Sequence, residues 1–440
     1  MPVSSITGRA RSSIEPTRGL CGRWIKEPPP SCWEDRGLAV SLMGPPGAGL
    51  GGVTKATVLI LTDHYLPGYR SGGPVQSIRN MSRALSDEFA FRVLTRDRDL
   101  GETQTYPHVI HGRWQSIEGT KVRYLSRSES MFGLAWILRS TQYDVLYLNS
   151  LFAPWYSIVP LLLRRVHLIP TDSVVVACRG QLAAEALAIR PVRKRLFLAT
   201  ARKLRLFQGT VWHATSEEEA KQIGTHVGRG VVTRIAGVIP SARLPSGIAS
   251  KRTGKVVGEA RVVYLSRITP MKNLLFAITV LGATRSNIIF DIFGPMEDPD
   301  YWSQCRDAIA SLPANIRASY KGEVEHELVA SIFGDYDLFL LPTLGENYGH
   351  VIMEALAAGC PVAVSDRTPW NNLSKEKVGW VLPLEDVERW ARVVGTIAAA
   401  GDEQLDALAH QARAVAERLS ADASAATATR HMFRAILTQG

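Results

Sequence analysis

Short apolar runs separated by stretches with helical periodicity set the plan of this 440-residue chain. Val58–Thr62, Phe91–Thr95, Asp144–Leu148, Ser173–Cys178 and Val211–Ser216 read as buried strands in the first half. Arg261–Ser266, Ile288–Phe293, Tyr320–Val324, Asp337–Leu341 and Val362–Val364 read the same way in the second. Near-continuous apolar runs of this length mark strands covered on both faces, as in parallel sheets. Between them, Val75 to Leu85 places Ile78, Met81 and Leu85 on one helical face, and the stretch from about Gly349 to Ala358 ends at Gly359, a suitable helix stop. Arg190–Phe207 reads as a further helix, Ser216 and Glu219 as a capping box, and helices fill residues 385–436. His213 reads as a core histidine.

This alternation predicts an α/β fold of two doubly wound, Rossmann-like domains facing a central cleft. The expected boundaries are a disordered extension over 1–52, a first domain over 53–238, a linker over 239–256, a second domain over 257–420 and a terminal helix over 421–440 that packs back on the first domain. The extension contains Pro28–Pro30 and a Gly/Pro-rich run from Gly44 to Gly52. That run lacks the Gly-Lys-Ser/Thr ending of a phosphate loop, and no strand precedes it. No apolar core of signal-peptide length occurs there, and Met43 reads as the natural start.

Composition narrows the function. The chain is 46% hydrophobic and 21% charged with mean hydropathy near zero, a globular balance. Leu151–Pro170 is the most apolar stretch, but Arg164, Arg165, His167 and two prolines interrupt it, so core is expected rather than a membrane span. Five scattered cysteines lack metal-ligand spacing and suit a reducing, cytoplasmic setting. The net charge of +10 favours anionic partners, and no nucleic-acid-binding motif accompanies it.

The candidate chemistry sits at strand ends. Glu346 and Glu354 flank Asn347, Tyr348 and Gly349 at the start of a helix, where free amides and the helix dipole attract anions. Carboxylates accept from hydroxyls and amides donate to phosphate, so a ligand carrying both sugar hydroxyls and phosphates fits. Arg267 and Lys272, five apart after a strand, can clamp a diphosphate. Gly72 and Gly73 precede a helix after the first strand, where backbone can approach a ligand closely. Asp97-Arg-Asp99 and Asp335-Tyr-Asp337 imitate a metal motif, but the second leads into a buried strand as a structural cap, and no metal is assigned.

Glu346 through Glu354 resembles the Glu-x7-Glu motif of the retaining glycosyltransferase family 4, which has the GT-B fold. The resemblance runs from about Val58 to Trp390 and is strongest over Arg261–Trp380. It implies that Glu346 faces the donor sugar, that Glu354 meets the nucleotide ribose, and that Arg267 and Lys272 hold the donor diphosphate. It also implies that Gly72 and Gly73 close over that diphosphate, that Gly322 and Gly294 bring backbone to the donor, and that Arg179 and Gly180 line the acceptor side. Relatives in bacterial polysaccharide synthesis often carry Pro-Arg-Gly-Met-Leu there; Cys178 and Gln181 stand in place of the Pro and Met.

The implied activity is retaining, metal-independent transfer from a UDP- or GDP-linked sugar to a glycan or lipid-linked acceptor in bacterial exopolysaccharide, capsule or lipopolysaccharide synthesis, with no cofactor. A nucleotide-sugar 2-epimerase of the same fold and a non-catalytic carbohydrate-binding protein remain as alternatives. Segment 190–207 carries seven basic residues and no acid, interleaved with leucine and phenylalanine. It reads either as a helix on an anionic membrane, making the protein peripheral to the cytoplasmic face, or as a surface helix with its apolar side in the core.

Overall fold

The computed structural model describes residues 55–169, 173–228, 230–241 and 254–438. The expectations for residues 1–52, and most of the expected linker, lie outside the described residues.

The first lobe runs β1 (Ala56–Leu61), α1 (Gly73–Ala84), β2 (Phe89–Arg96), β3 (Trp114–Ile117), β4 (Thr120–Leu125), α2 (Met131–Ser140) and β5 (Val145–Asn149). A π-helical turn, Pro154–Ile158, leads into α3 (Val159–Arg165), then β6 (Val174–Ala177), α4 (Ala184–Ala188), α5 (Pro191–Lys203), β7 (Thr210–Ala214), α6 (Glu217–His226) and β8 (Val232–Ile235). The second lobe runs β9 (Glu259–Leu265), α7 (Leu274–Gly282), β10 (Asn287–Phe293), α8 (Pro299–Ala310), β11 (Ile316–Gly322), α9 (His326–Gly334), β12 (Leu338–Leu341), α10 (His350–Ala358), β13 (Val362–Ser365), β14 (Gly379–Leu382), α11 (Val387–Ala399), α12 (Asp402–Ala421) and α13 (Ser424–Leu437).

The first sheet has the order β3-β4-β2-β1-β5-β6-β7-β8, parallel except for the β3–β4 hairpin at its edge. The second has the order β11-β10-β9-β12-β13-β14 and is parallel throughout. Each sheet reverses its winding beside its first strand, at β1/β5 and at β9/β12. Ligands of such sheets bind outside the carboxyl ends of the strands at that reversal.

Side-chain alternation divides the first sheet into two apolar layers. Leu59, Leu61, Leu94, Leu146 and Leu148 face α2, α3 and α5. Val58, Ile60, Val93, Val145 and Tyr147 face α1 and α13. Thus α13, last in sequence, packs on the first lobe. Phe433 is fully buried against Phe89, Phe91 and Tyr147, and Arg430 and Arg434 pair with Glu88.

Several local expectations need correction. The helix in segment 190–207 ends at Lys203, and Leu204 to Gly209 forms turns that bury Leu206 and Phe207. The strand expected over Tyr320–Val324 instead spans Ile316–Gly322, because Ile316–Ser319 pairs with Ile288–Asp291 in register. The expected linker begins as packed chain, since Ile239 is buried and its carbonyl accepts from Asn80. Within Leu151–Pro170, Leu151, Leu161 and Leu163 enter the core, and among the described residues no helix is long and apolar enough to cross a membrane.

Candidate active site

Both loops that follow β9 and β12 meet at the second sheet's reversal. β9 leads through Arg267 into a single 3-10 turn, Pro270–Lys272, ended by Asn273 in the left-handed conformation. β12 leads into Thr343–Gly349, and the two loops are stitched together. The Leu344 amide donates to Met271 O at 2.8 Å, and Thr343 Oγ1 donates to the same carbonyl at 3.0 Å. This stitching brings Lys272 Nζ into direct contact with Glu346 Oε1, and both side chains are nearly buried. A buried ammonium–carboxylate pair of this kind persists only with close geometry, since each partner alone would bear a large desolvation cost.

Gly349, the N-cap of α10, has φ +80°, and a Cβ there would stand 2.9 Å from Ile352 Cδ1. The left-handed turn lets Tyr348 lie against His350 and Trp370, at centroid distances of 4.8 and 5.7 Å. Just over one turn along, Glu354 faces His326 at the start of α9, with 3.7 Å between Oε1 and Nδ1. Burial pushes Glu354 up to about 7. It also lowers His326, so the imidazole gives the acid no full positive charge at neutral pH. Gly294, at φ +132°, is required, because a Cβ would fall 1.9 Å from Ser266 O. Its amide donates to Gly322 O at 2.9 Å, fixing one loop end against the other.

The structure does not bring all four charged side chains into one ion-paired group. Arg267 Nη1 lies 2.6 Å from Glu297 Oε2, about a third exposed, and no ion pair joins it to Glu346 or Glu354 among the described residues. Its reach into the cleft therefore depends on leaving Glu297.

The first lobe supplies the opposite wall. Gly72 (φ +62°) is the N-cap of α1, and Pro74 sits in its first turn. Asp99 orders the loop before it: Oδ2 accepts from the amides of Tyr69 and Arg70 at 2.8 and 3.2 Å, which makes this acid structural. Asp337 likewise accepts from the Arg261 amide and pairs with Lys255. Polar contacts then cross the cleft, besides the longer Arg367–Glu185 pair at 3.9 Å. Arg70 Nε lies 2.6 Å from Glu323, Ser77 Oγ lies 2.9 Å from His350 Nε2, and Thr215 Oγ1 lies 2.9 Å from Asn347 Oδ1. A Cβ on Gly73 would touch His350 at 3.7 Å, so the N-termini of α1 and α10 confront each other. Burial, followed by the charge of Arg179, brings His350 down to about 3, so it stays neutral.

Arg179, at φ +52°, donates from Nε to Asn149 at 2.9 Å and from Nη2 to Tyr147 Oη at 2.8 Å. Tyr147 Oη also meets His213, whose other ring nitrogen contacts Ala236 O, so His213 belongs to the core. Gly180 packs on Asn347, with 3.3 Å left for a Cβ. Gln181 ties down the neighbouring loop, since its Oε1 accepts from the Leu151 amide at 2.7 Å and the Phe152 amide at 3.3 Å.

Glu219 corrects the capping-box reading. Ser216 does cap α6, accepting from the Glu219 amide at 3.2 Å. The Glu219 carboxylate turns away instead of closing the box. It accepts from the Gly180 amide at 2.6 Å, from the Thr215 amide and hydroxyl at 2.7 Å each, and from the Cys178 thiol at 3.3 Å. Burial pushes this acid up, but the Thr215 and Gly180 donors outweigh it and hold the carboxyl below its usual range. A charged, buried carboxylate thus braces the Arg179–Gly180 loop and, through Thr215, touches Asn347 across the cleft. The only sequence signal for it was Ser216-x-x-Glu219, which capping already explained.

Comparison with known proteins places this geometry. The family described as Glycosyl transferases group 1 matches residues 247–415. Uncharacterized glycosyltransferase MJ1607 of Methanocaldococcus jannaschii is 26% identical over 129 residues, 28% of this chain and 32% of that protein, so the match spans about a third of the curated relative. Sucrose-phosphate synthase of Thermosynechococcus elongatus superposes with TM-score 0.62 at 16% identity, over 88% of this chain and all of that one. Anabaena Alr3699/HepE, solved with UDP and glucose, gives 0.63 at 17% over 87% and 100%. WaaG, a glycosyltransferase involved in lipopolysaccharide biosynthesis, gives 0.56 at 17% over 84% and 98%. The chain therefore has the two-lobed GT-B fold, and its residues 247–415 match the group 1 glycosyl transferases.

Proposed function

We propose that the protein is a retaining, metal-independent glycosyltransferase that takes a sugar from a UDP- or GDP-linked donor and passes it to a glycan or lipid-linked acceptor. One observation carries this reading: the Lys272–Glu346 pair and the N-termini of α1 and α10 converge from two lobes on one cleft. Two helix N-termini and an ammonium suit a diphosphate, and the two acids suit the hydroxyls on either side of it. That Anabaena Alr3699/HepE was solved with UDP and glucose favours a nucleotide-sugar donor.

In this mechanism Glu354 accepts from the ribose and Glu346 orients the sugar. Lys272 shifts from Glu346 toward the diphosphate as charge develops, and Arg267 joins it by exchanging Glu297 for phosphate. The acceptor hydroxyl attacks the anomeric carbon on the face the diphosphate leaves. The carbon–oxygen bond to phosphate breaks, and the hydroxyl proton passes to the departing phosphate oxygen. Closure across Arg70–Glu323 and Ser77–His350 keeps water from the donor. Arg179 and Gly180 face the acceptor. The basic segment 190–207 holds the enzyme on the anionic cytoplasmic face of a membrane, where exopolysaccharide, capsule or lipopolysaccharide precursors are built.

Assaying labelled nucleotide sugars with and without acceptor tests the reading. Lys272→Ala is expected to lower turnover by about a hundredfold, the loss of about 3 kcal/mol of preorganised stabilisation, with donor binding less affected. Transfer that retains the anomeric configuration and withstands chelators supports the proposal. Full activity in both Lys272→Ala and Glu354→Ala refutes the site, and an epimeric sugar as the product without an acceptor refutes transfer in favour of epimerisation.

A further inference from the structure

Two large aromatic side chains on the first lobe stand in solvent without a packing role. Phe132 is 76% exposed and Trp136 64% exposed on α2, one helical turn apart and therefore on one face. Val192 and Leu196, 76% and 66% exposed, repeat the arrangement on α5. Topology puts all four on one face of the sheet, with α3 between the two helices. β4 runs parallel to β2, β5 to β1 and β6 to β5, so α2, the turn before α3, and α5 all start at the strands' carboxyl edge. All three helices pack into the same apolar layer of the sheet. Phe132, Val192 and Leu196 lie in the first halves of their helices and Trp136 at the middle of α2, and partly exposed Trp155 lies in the turn before α3. That edge is also the cleft edge.

Charge selects the occupant. Exposed Arg127, Arg190, Arg193 and Arg195 stand close in sequence to the apolar residues, and the acids nearest in sequence are Glu129 and Glu185, of which Glu185 faces Arg367. Apolar and aromatic tips within a basic rim match a bilayer interface with anionic headgroups rather than a protein groove.

We infer that α2 inserts Phe132 and Trp136 into an anionic membrane from the sheet face it shares with α5, seating the acceptor side of the cleft on the bilayer. This deepens the membrane part of the proposed function and rests on it; donor chemistry does not enter. The face receives a lipid-linked acceptor directly, because its edge is the mouth of the cleft. α5 supplies the charge, and α2 supplies the insertion that charge alone does not.

Flotation with mixed phosphatidylcholine–phosphatidylglycerol vesicles tests it. The wild-type protein is expected to co-float, with binding that falls at high salt. Phe132→Ser/Trp136→Ser is expected to weaken partitioning by about tenfold or more, and Arg193→Glu/Arg195→Glu to remove the salt-sensitive part. With brominated lipid, wild-type tryptophan emission is quenched, and Trp136→Phe loses part of that quenching while still binding. Unchanged thermal stabilisation by UDP or GDP in each variant shows that it is folded. Wild-type partitioning by Phe132→Ser/Trp136→Ser overturns insertion by α2. Absence of binding by wild type overturns the membrane reading as well, while nucleotide stabilisation reports separately on the transferase reading. A concentration-dependent dimer dissolved by the same substitutions assigns the face to a second copy and also overturns the inference.

Discussion

Glu354→Gln separates the cost of the site from its use. Glu354 lies on α10, only about a quarter exposed, beside a histidine kept neutral by burial and the nearby Arg79. Its folded-state value of about 7 compares with an ordinary 4.5. Between these values the native protein holds a proton that the unfolded chain releases. Stability from this group is therefore lost as pH rises from 4.5 to about 7, and the cost is complete above that. The full difference corresponds to about 3 kcal/mol, and screening at a partly exposed carboxylate leaves about 2 kcal/mol. Glutamine is near in shape and carries no charge, so Glu354→Gln should raise Tm by about 2 °C at pH 8 and leave it unchanged at pH 4.5. In the proposed site, by contrast, the ribose hydroxyls donate to this carboxylate. Calorimetric titration with UDP or GDP should show at least tenfold weaker binding in the variant at pH 8, since hydrogen bonds to a charged acceptor contribute about 1.5–3 kcal/mol. The ratio of wild-type to variant affinity, which cancels the ligand's own titration, should grow about tenfold from pH 6 to pH 8. A variant no more stable at pH 8, or one that binds nucleotide like wild type, refutes the reasoning.

Two further outcomes follow from the cleft and its support. Glu219→Gln places an NH2 where a carboxylate oxygen faces the donors of Thr215 or Gly180, and should cost about 1.5–3 kcal/mol in denaturant unfolding; acceptor KM should rise while nucleotide affinity holds within about threefold, and an unchanged acceptor KM rejects Glu219 as the brace of Arg179–Gly180. Phe433→Ala should cost about 3–5 kcal/mol and expose first-lobe core amides to hydrogen exchange around Phe89 and Tyr147, although the change lies in the last helix; exchange confined to α13 would show that the helix is not part of that lobe's core.

Much of the plan is local and therefore readable from the chain. β1, β9, β12 and β13 are apolar runs bounded by Pro, Gly or polar loops, and their short, near-continuous apolar character marks strands buried on both faces. Gly349 and Gly359 bracket α10, so the placement of Glu346 before that helix and Glu354 within it follows from turn chemistry. β8 was not legible, because its residues are partly exposed and carry no alternation. Nor was α2, whose exposed Phe132 and Trp136 blur the contrast between core and solvent faces.

The sequence by itself determined which charged groups stand at strand ends; only the folded molecule decided their partners. Arg267 and Lys272 look equivalent along the chain, yet Lys272 is delivered to Glu346 by the stitched loops after β9 and β12, and Arg267 to Glu297. Glu219 satisfies a helix-capping pattern, yet its carboxylate is taken by Gly180 and Thr215, because three buried donors outweigh one helix amide. His350 and Ser77 are separated by 273 positions, and no periodicity links them. Local pattern fixes backbone states within a few residues, whereas side-chain pairing across a cleft depends on how two sheets are set against each other, and that is a property of packing alone.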